Sequence, residues 1–227
     1  MTRVDDYRLA NDPNWLDNPR YQDGRGGHDR RLVSELDAVG VRAYTMEDVV
    51  NTVGSTPEAI PIYADWLKNL EQKIPGPETE HRAVIRSGLL SALNDNLAKR
   101  NPAAIDALFK QLELQSPLPE YRQYWVTKAL DRIARREDYD RMTRLFRTIT
   151  YRAALAPIVH YLGQFKTDDA FLIVKDQLSH LEIRNEALKA LGRMKHPDAV
   201  PLVESYLDAE SKYTRRAATQ ALKKLTH

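Results

Sequence analysis

Arg184-Asn-Glu-Ala-Leu-Lys-Ala-Leu-Gly-Arg-Met-Lys-His-Pro-Asp-Ala-Val-Pro-Leu-Val203 decides the fold. Ala187, Leu188, Ala190, Leu191 and Met194 recur at helical spacing, so one face of a helix is small and apolar. Gly192 reads as an interruption of the polar face near the helix end. Lys195 and His196 then lead into Pro197 and Asp198, a pairing that opens a new helix. The stretch is therefore the end of one helix pair and the start of the next.

Copies of it lie on both sides. Thr56-Pro57-Glu58-Ala59-Ile60-Pro61 aligns with His196-Pro197-Asp198-Ala199-Val200-Pro201, and Trp66-Leu67 with Tyr206-Leu207. Asn101-Pro102-Ala103-Ala104-Ile105 and Thr167-Asp168-Asp169-Ala170-Phe171 are looser copies, in which a capping side chain followed by proline or acid satisfies the free amides of a first turn. Arg184, Ala187, Ala190, Leu191 and Met194 return 31 residues later as Arg215, Ala218, Ala221, Leu222 and Leu225. No segment alternates as a strand does. The pattern predicts an all-α chain, an α-solenoid of about five antiparallel helix pairs: 56–74 with 79–95, 102–114 with 118–135, 137–149 with 151–164, 167–180 with 182–194, and 196–208 with 212–225.

The N-terminal part differs. Residues 1–30 mix turn formers such as Gly24, Gly26 and Gly27 with Tyr7, Trp15 and Tyr21, and predict an irregular arm that caps the array or orders on a partner. Leu32, Val33, Leu36 and Val39 predict a first helix ended by Gly40. Thr45-Met46-Glu47-Asp48 resembles a capping box, opening a short helix that closes at Gly54. Residues 1–44 are thus the arm and first helix, and 45–227 the repeat array.

Composition narrows the chemistry. Of 227 residues 42% are hydrophobic and 29% charged, with a net charge of +2, so the molecule as a whole has no strong electrostatic preference. From Glu120 onward there are 20 Lys and Arg against 14 Asp and Glu. The absence of cysteine excludes disulfides, thiol nucleophiles and Cys-based zinc sites. The N-terminus lacks a secretory h-region and no apolar run is long enough for a membrane span, which predicts a cytoplasmic protein. None of the six histidines is followed by Glu, and neither H-E-x-x-H nor a phosphate-cradling G-x-x-x-x-G-K occurs. No cofactor, metal or catalytic residue is predicted. His160, within an apolar helix, reads as a packing residue.

Ile183, Arg184, Ala187, Ala190, Leu191, Gly192, Met194, Pro197, Asp198, Ala199, Val200 and Pro201 carry a pattern that resembles the HEAT-like repeat, in the variety noted in phycobiliprotein lyases. The last two units match well, those near 56, 102 and 137 in part, and residues 1 to about 44 not at all. Residues 59–67 also look like the opening of bacterial HEAT-repeat proteins without an assigned function. The resemblance implies a curved array whose concave face, lined by the second helix of each pair, binds another macromolecule.

Arg82, Arg122, Arg152, Arg184 and Arg215 each fall near the start of a second helix. They form either a ladder bonded to carbonyls and acids of neighbouring repeats or a basic stripe for a ligand. Tyr121, Tyr124 and Trp125 precede Arg132, Arg135 and Arg136, a basic-aromatic run of the kind that tracks a phosphate backbone. Acids dilute it, and at helical spacing Asp138 can pair with Arg141 or with the neighbours of Met142 on the outer face. Trp66 and Trp125 are expected in the core or the helix seams. HEAT-like DNA glycosylases for alkylated bases use aromatics, an aspartate and basic residues; Trp125, Asp131 and Arg132 supply those types without matching that family's pattern. The sequence thus predicts a non-catalytic protein-interaction scaffold, with nucleic-acid binding and alkylated-base excision as the alternative, and leaves the oligomeric state open.

Overall fold

The computed structural model describes residues 29–43, 45–114 and 116–226. Their regular elements are all helices, with no strand among the described residues. The chain divides into two compact units, Met1–Ala134 and Arg135–His227, and each is described by itself. The arm expected over residues 1–30 lies outside the described residues up to His28.

In the first unit, helix α1 (Arg30–Asp37) starts where the Asp29 carboxylate accepts from the Arg31 amide at 2.9 Å. The chain leaves α1 through Gly40, whose φ of 81° is open to glycine at little cost. Helix α2 (Met46–Asp48) carries the expected capping box: Asp48 N donates to Thr45 Oγ1 at 3.2 Å and Thr45 N to Asp48 Oδ2 at 3.0 Å. It runs on into a wide π turn, Val49–Val53, and ends at Gly54. Helices α3 (Ala59–Lys68) and α4 (Leu70–Lys73) fill the predicted 56–74. Helices α5 (Glu80–Leu93), α6 (Pro102–Gln111) and α7 (Glu120–Ile133) follow. Asn101 Oδ1 accepts from Ala104 N with Pro102 at the first helical position, an arrangement that loses no amide. Helix α3 packs on α5 and α6, and α7 on both α5 and α6.

In the second unit, helix α8 (Tyr139–Thr148) is followed by the 3-10 turn Arg152–Leu155 and helix α9 (Ala156–Leu162). Helices α10 (Asp168–Asp176), α11 (Arg184–Met194), α12 (Ala199–Glu204) and α13 (Lys212–Thr226) complete it. Thr167 Oγ1 caps α10 by accepting from Ala170 N. Helix α11 is central and touches α9, α10, α12 and α13. Ala187, Leu188, Ala190, Leu191 and Met194 are all buried, so the stripe read in the sequence is the packing face. Each fully buried leucine there contributes on the order of 1.5–3 kcal/mol.

Gly192 corrects the sequence reading. It is buried on the packing face rather than on the polar one, and a Cβ placed on it would lie 2.7 Å from Ala221 Cα in α13. The glycine is there because two helix backbones cross at that point. Gly163, just past α9, is also close-set: its Cβ would meet the Arg193 guanidinium first, at 2.6 Å, and Ala190 Cα at 3.1 Å.

Candidate binding cleft

The ladder arginines divide by what their guanidiniums reach. Arg184 Nε donates to the Leu178 carbonyl at 2.7 Å, and Arg215 Nη1 to those of Ala209 and Glu210, each at 2.7 Å. Arg82 Nη1 donates to the Ile74 carbonyl at 2.9 Å. For Arg184 and Arg82 the acceptor lies at the end of the preceding helical stretch, where carbonyls lack an intrahelical partner and a cation is favoured; for Arg215 the acceptors lie in the loop just before its own helix. Arg152 opens its 3-10 turn without a hydrogen bond or ion pair among the described residues. Arg122 is different again.

Around Arg122 the first unit gathers a charged cluster. Glu78 Oε2 accepts from Arg82 Nε at 2.7 Å and from Arg86 Nη2 at 2.9 Å, and Glu78 Oε1 from Arg86 Nε at 3.1 Å. Arg86 also donates to Glu71 at 2.7 Å and to the Gln111 side chain, while Gln111 Nε2 donates to the Leu67 carbonyl at 3.0 Å. Burial raises the Glu78 pKa, but the Arg86 and Arg82 hydrogen bonds outweigh it and hold the carboxyl below its ordinary range. Burial lowers the Arg86 pKa, and the bonds to Glu78 and Glu71 more than restore it. Arg86 is 2% exposed and was not singled out from the sequence. Its signal was there: Ile85, Arg86, Leu89, Leu90 and Leu93 share one face of α5, and an arginine on such a stripe needs buried acceptors.

These side chains line a cleft of about 720 Å³, with Gly76 and Pro77 on one side and Leu114, Ser116, Pro117, Leu118 and Pro119 on another. On α7 beside it, Tyr121 is 54% and Trp125 46% exposed, four residues apart and so on one helix face. Tyr124 meets Trp125 edge-on at 5.8 Å. Trp125 is therefore not in the core. Trp66 is: it is 1% exposed, and its Nε1 donates to Glu35 Oε2 at 2.8 Å, joining α3 to α1.

The basic half of the run is engaged elsewhere. Arg132 Nε donates to Asn94 Oδ1 at 2.9 Å. Arg135 opens the second unit and bonds Asp138 through its amide at 2.8 Å and its Nε at 3.3 Å. Asp138 is buried, and its carboxylate caps the start of the turn by accepting from the Arg135 amide. Arg136 lies 4.7 Å over the Phe165 ring. His160 is exposed, which corrects its reading as a packing residue: the buried side of α9 is made by Pro157, Ile158, Val159, Tyr161 and Leu162.

A second groove of about 800 Å³ is lined by Gly192, Arg193, Lys195, Gln220, Lys223 and Lys224. Arg193 Nη2 is held by the His160 carbonyl at 2.7 Å, and Lys223 and Lys224 sit in the last turn of α13, where a helix favours cations without any ligand. Among the described residues no three His, Cys, Asp or Glu side chains converge as a metal site, and no helix is long and apolar enough to cross a membrane.

The architecture is that of an all-α protein of stacked helix pairs. The family profile of HEAT repeats matches residues 150–223, which takes in α9 to α12 and most of α13 in the second unit. No curated protein and no solved structure matches the chain.

Proposed function

We propose that the chain is a non-catalytic binding module that takes a protein partner on the α7 face of its first unit, and that its repeats are of the variety noted in phycobiliprotein lyases. The observation that carries the binding reading is the exposed Tyr121–Trp125 pair. Large aromatics are costly to leave in water and are enriched at the centres of protein interfaces. Arg122, which lines the cleft, has its guanidinium centre 5.3 Å from the Tyr121 ring. HEAT repeats commonly serve such interactions, which supports the same reading. Against a nucleic-acid track, Arg82, Arg132, Arg135, Arg184 and Arg215 donate within the protein.

The test is affinity capture from the source cells with and without nuclease, comparing the wild type with Tyr121→Ala/Trp125→Ala. Both side chains are about half exposed, so the double variant should keep its helical circular dichroism and lose the captured protein, with at least a tenfold weaker interaction. Recovery that disappears with nuclease, and falls steeply with salt, would move the function to nucleic acid.

A further inference from the structure

Arg122 is a buried rung of the ladder whose donors are largely uncommitted. Its side chain is 10% exposed, and its Nη1 approaches Glu78 Oε1 only to 3.5 Å. Its Nε is shielded from water and has no hydrogen-bond partner among the described residues. A guanidinium N–H without an acceptor is costly, and Arg82, Arg184 and Arg215 avoid that cost with carbonyls. The guanidinium of Arg122 reaches no such carbonyl among the described residues; the Leu118 carbonyl before α7 accepts instead from Gln123 Nε2 at 2.8 Å. The half-exposed Tyr121 ring stands 5.3 Å from its guanidinium centre.

We propose that the cleft receives one carboxylate side chain from an acidic segment of the protein partner, taken by Arg122, with a flanking apolar residue of that segment against Leu118 and the prolines. This rests on the reading of the chain as a protein-binding module. Charge selects the ligand. Arg82, Arg86 and Arg122 face Glu71 and Glu78 in the cleft, so the lining has room for one negative charge. A phosphate dianion would overshoot that balance beside Glu78. A planar carboxylate matches the guanidinium fork, first at the outward Nη edge and then at Nε once the Tyr121 ring turns aside.

The test uses the full chain and two probes, acetyl-Leu-Asp-Leu-amide and its Asn counterpart, with inorganic phosphate as a third. The side-chain Nε–H resonance of Arg122 and tryptophan emission report binding. The Asp peptide is expected to bind at least about tenfold tighter than the Asn peptide and to shift the Arg122 resonance. Arg122→Gln should abolish the discrimination, and Arg122→Lys, which keeps the charge and stem, should retain part of it with the helical spectrum intact. Equal binding of the two peptides, no saturable binding, discrimination that survives Arg122→Gln, or phosphate binding tighter than the Asp peptide would each overturn the assignment. Capture that still depends on Tyr121 and Trp125 while the peptides fail would sink the carboxylate site alone. Discrimination without any captured protein would overturn the partner and leave a site for a free organic acid.

Discussion

Leucine at position 192 will lower the thermal midpoint of the second unit by several degrees, and alanine there will lower it less. The Cβ of either residue falls 2.7 Å from Ala221 Cα and 3.0 Å from Ala221 Cβ and O. Those are atoms of a helix backbone and its first side-chain carbon, which cannot swing away as a long side chain could. Two effects oppose each other in Gly192→Ala. Helix propensity favours alanine by about 0.5–1 kcal/mol, and overpacking costs about 1–3 kcal/mol. The clash wins because α11 and α13 must separate along their contact. Leucine adds three more carbons to the same place, so its loss should exceed about 3 kcal/mol, or roughly 6 °C or more at this chain length. Lys189→Ala, exposed on the same helix, should stay within about 0.5 kcal/mol. All three tryptophans precede Arg135, so the loss should appear in far-ultraviolet circular dichroism rather than in tryptophan emission. A Gly192→Leu protein that melts like the wild type would mean the helices do not cross there.

That glycine also shows which part of the structure was legible in the sequence. Periodicity identifies the stripe of Ala187, Ala190 and Leu191, and the equivalence of Ala59 with Ala199 and Tyr63 with Val203 holds in burial, since all four are inside. Caps were legible too, because Thr45, Asn101 and Thr167 each act on the amide three positions on. Gly192 was misplaced because a residue without a side chain shows no preference for either face; only the partner helix 29 residues on reveals why it is small. Trp125 was misplaced for the opposite reason. Its spacing fits α7, but whether a large aromatic points in or out depends on what covers that face. The candidate site was less legible still. Arg82 and Arg122 were noted as equivalent positions, yet the residue that joins them, Glu78, lies 44 positions before Arg122. Nothing local distinguishes Arg122 from rungs that cap a carbonyl.

Replacing Arg86 with methionine should destabilise the first unit at neutral pH by about 2–4 kcal/mol, and by much less in acid. Methionine keeps most of the stem volume, so the loss isolates the guanidinium rather than a cavity. Without it Gln111 Oε1 loses its donor beneath the surface, and Glu71 and Glu78 keep their charges with fewer partners. Removing one member of a fully buried pair costs about 3–5 kcal/mol. Here the figure is reduced because the two carboxylates are 38% and 36% exposed and water takes over part of the role. The pH dependence follows from Glu78. Burial pulls its pKa up, the bonds from Arg86 and Arg82 pull it further down, and the folded value lies below the ordinary 4.5. A carboxyl depressed in the folded state contributes stability that is present above its unfolded pKa and lost as pH falls through the folded one. Wild type should therefore weaken below about pH 4.5, and Arg86→Met, which has already lost the strongest hydrogen-bond donor to Glu78, should weaken less. Urea midpoints at pH 7 and near pH 3.5, read by tryptophan emission with an unchanged slope, measure both. A gap between the two proteins that stays constant over this range would mean that Arg86 stabilises the unit through packing and the Gln111 bond rather than through its charge. The Glu78 cluster would then be a consequence of the fold, and Arg122 would stand beside it without the field that makes its cleft selective for a single anion.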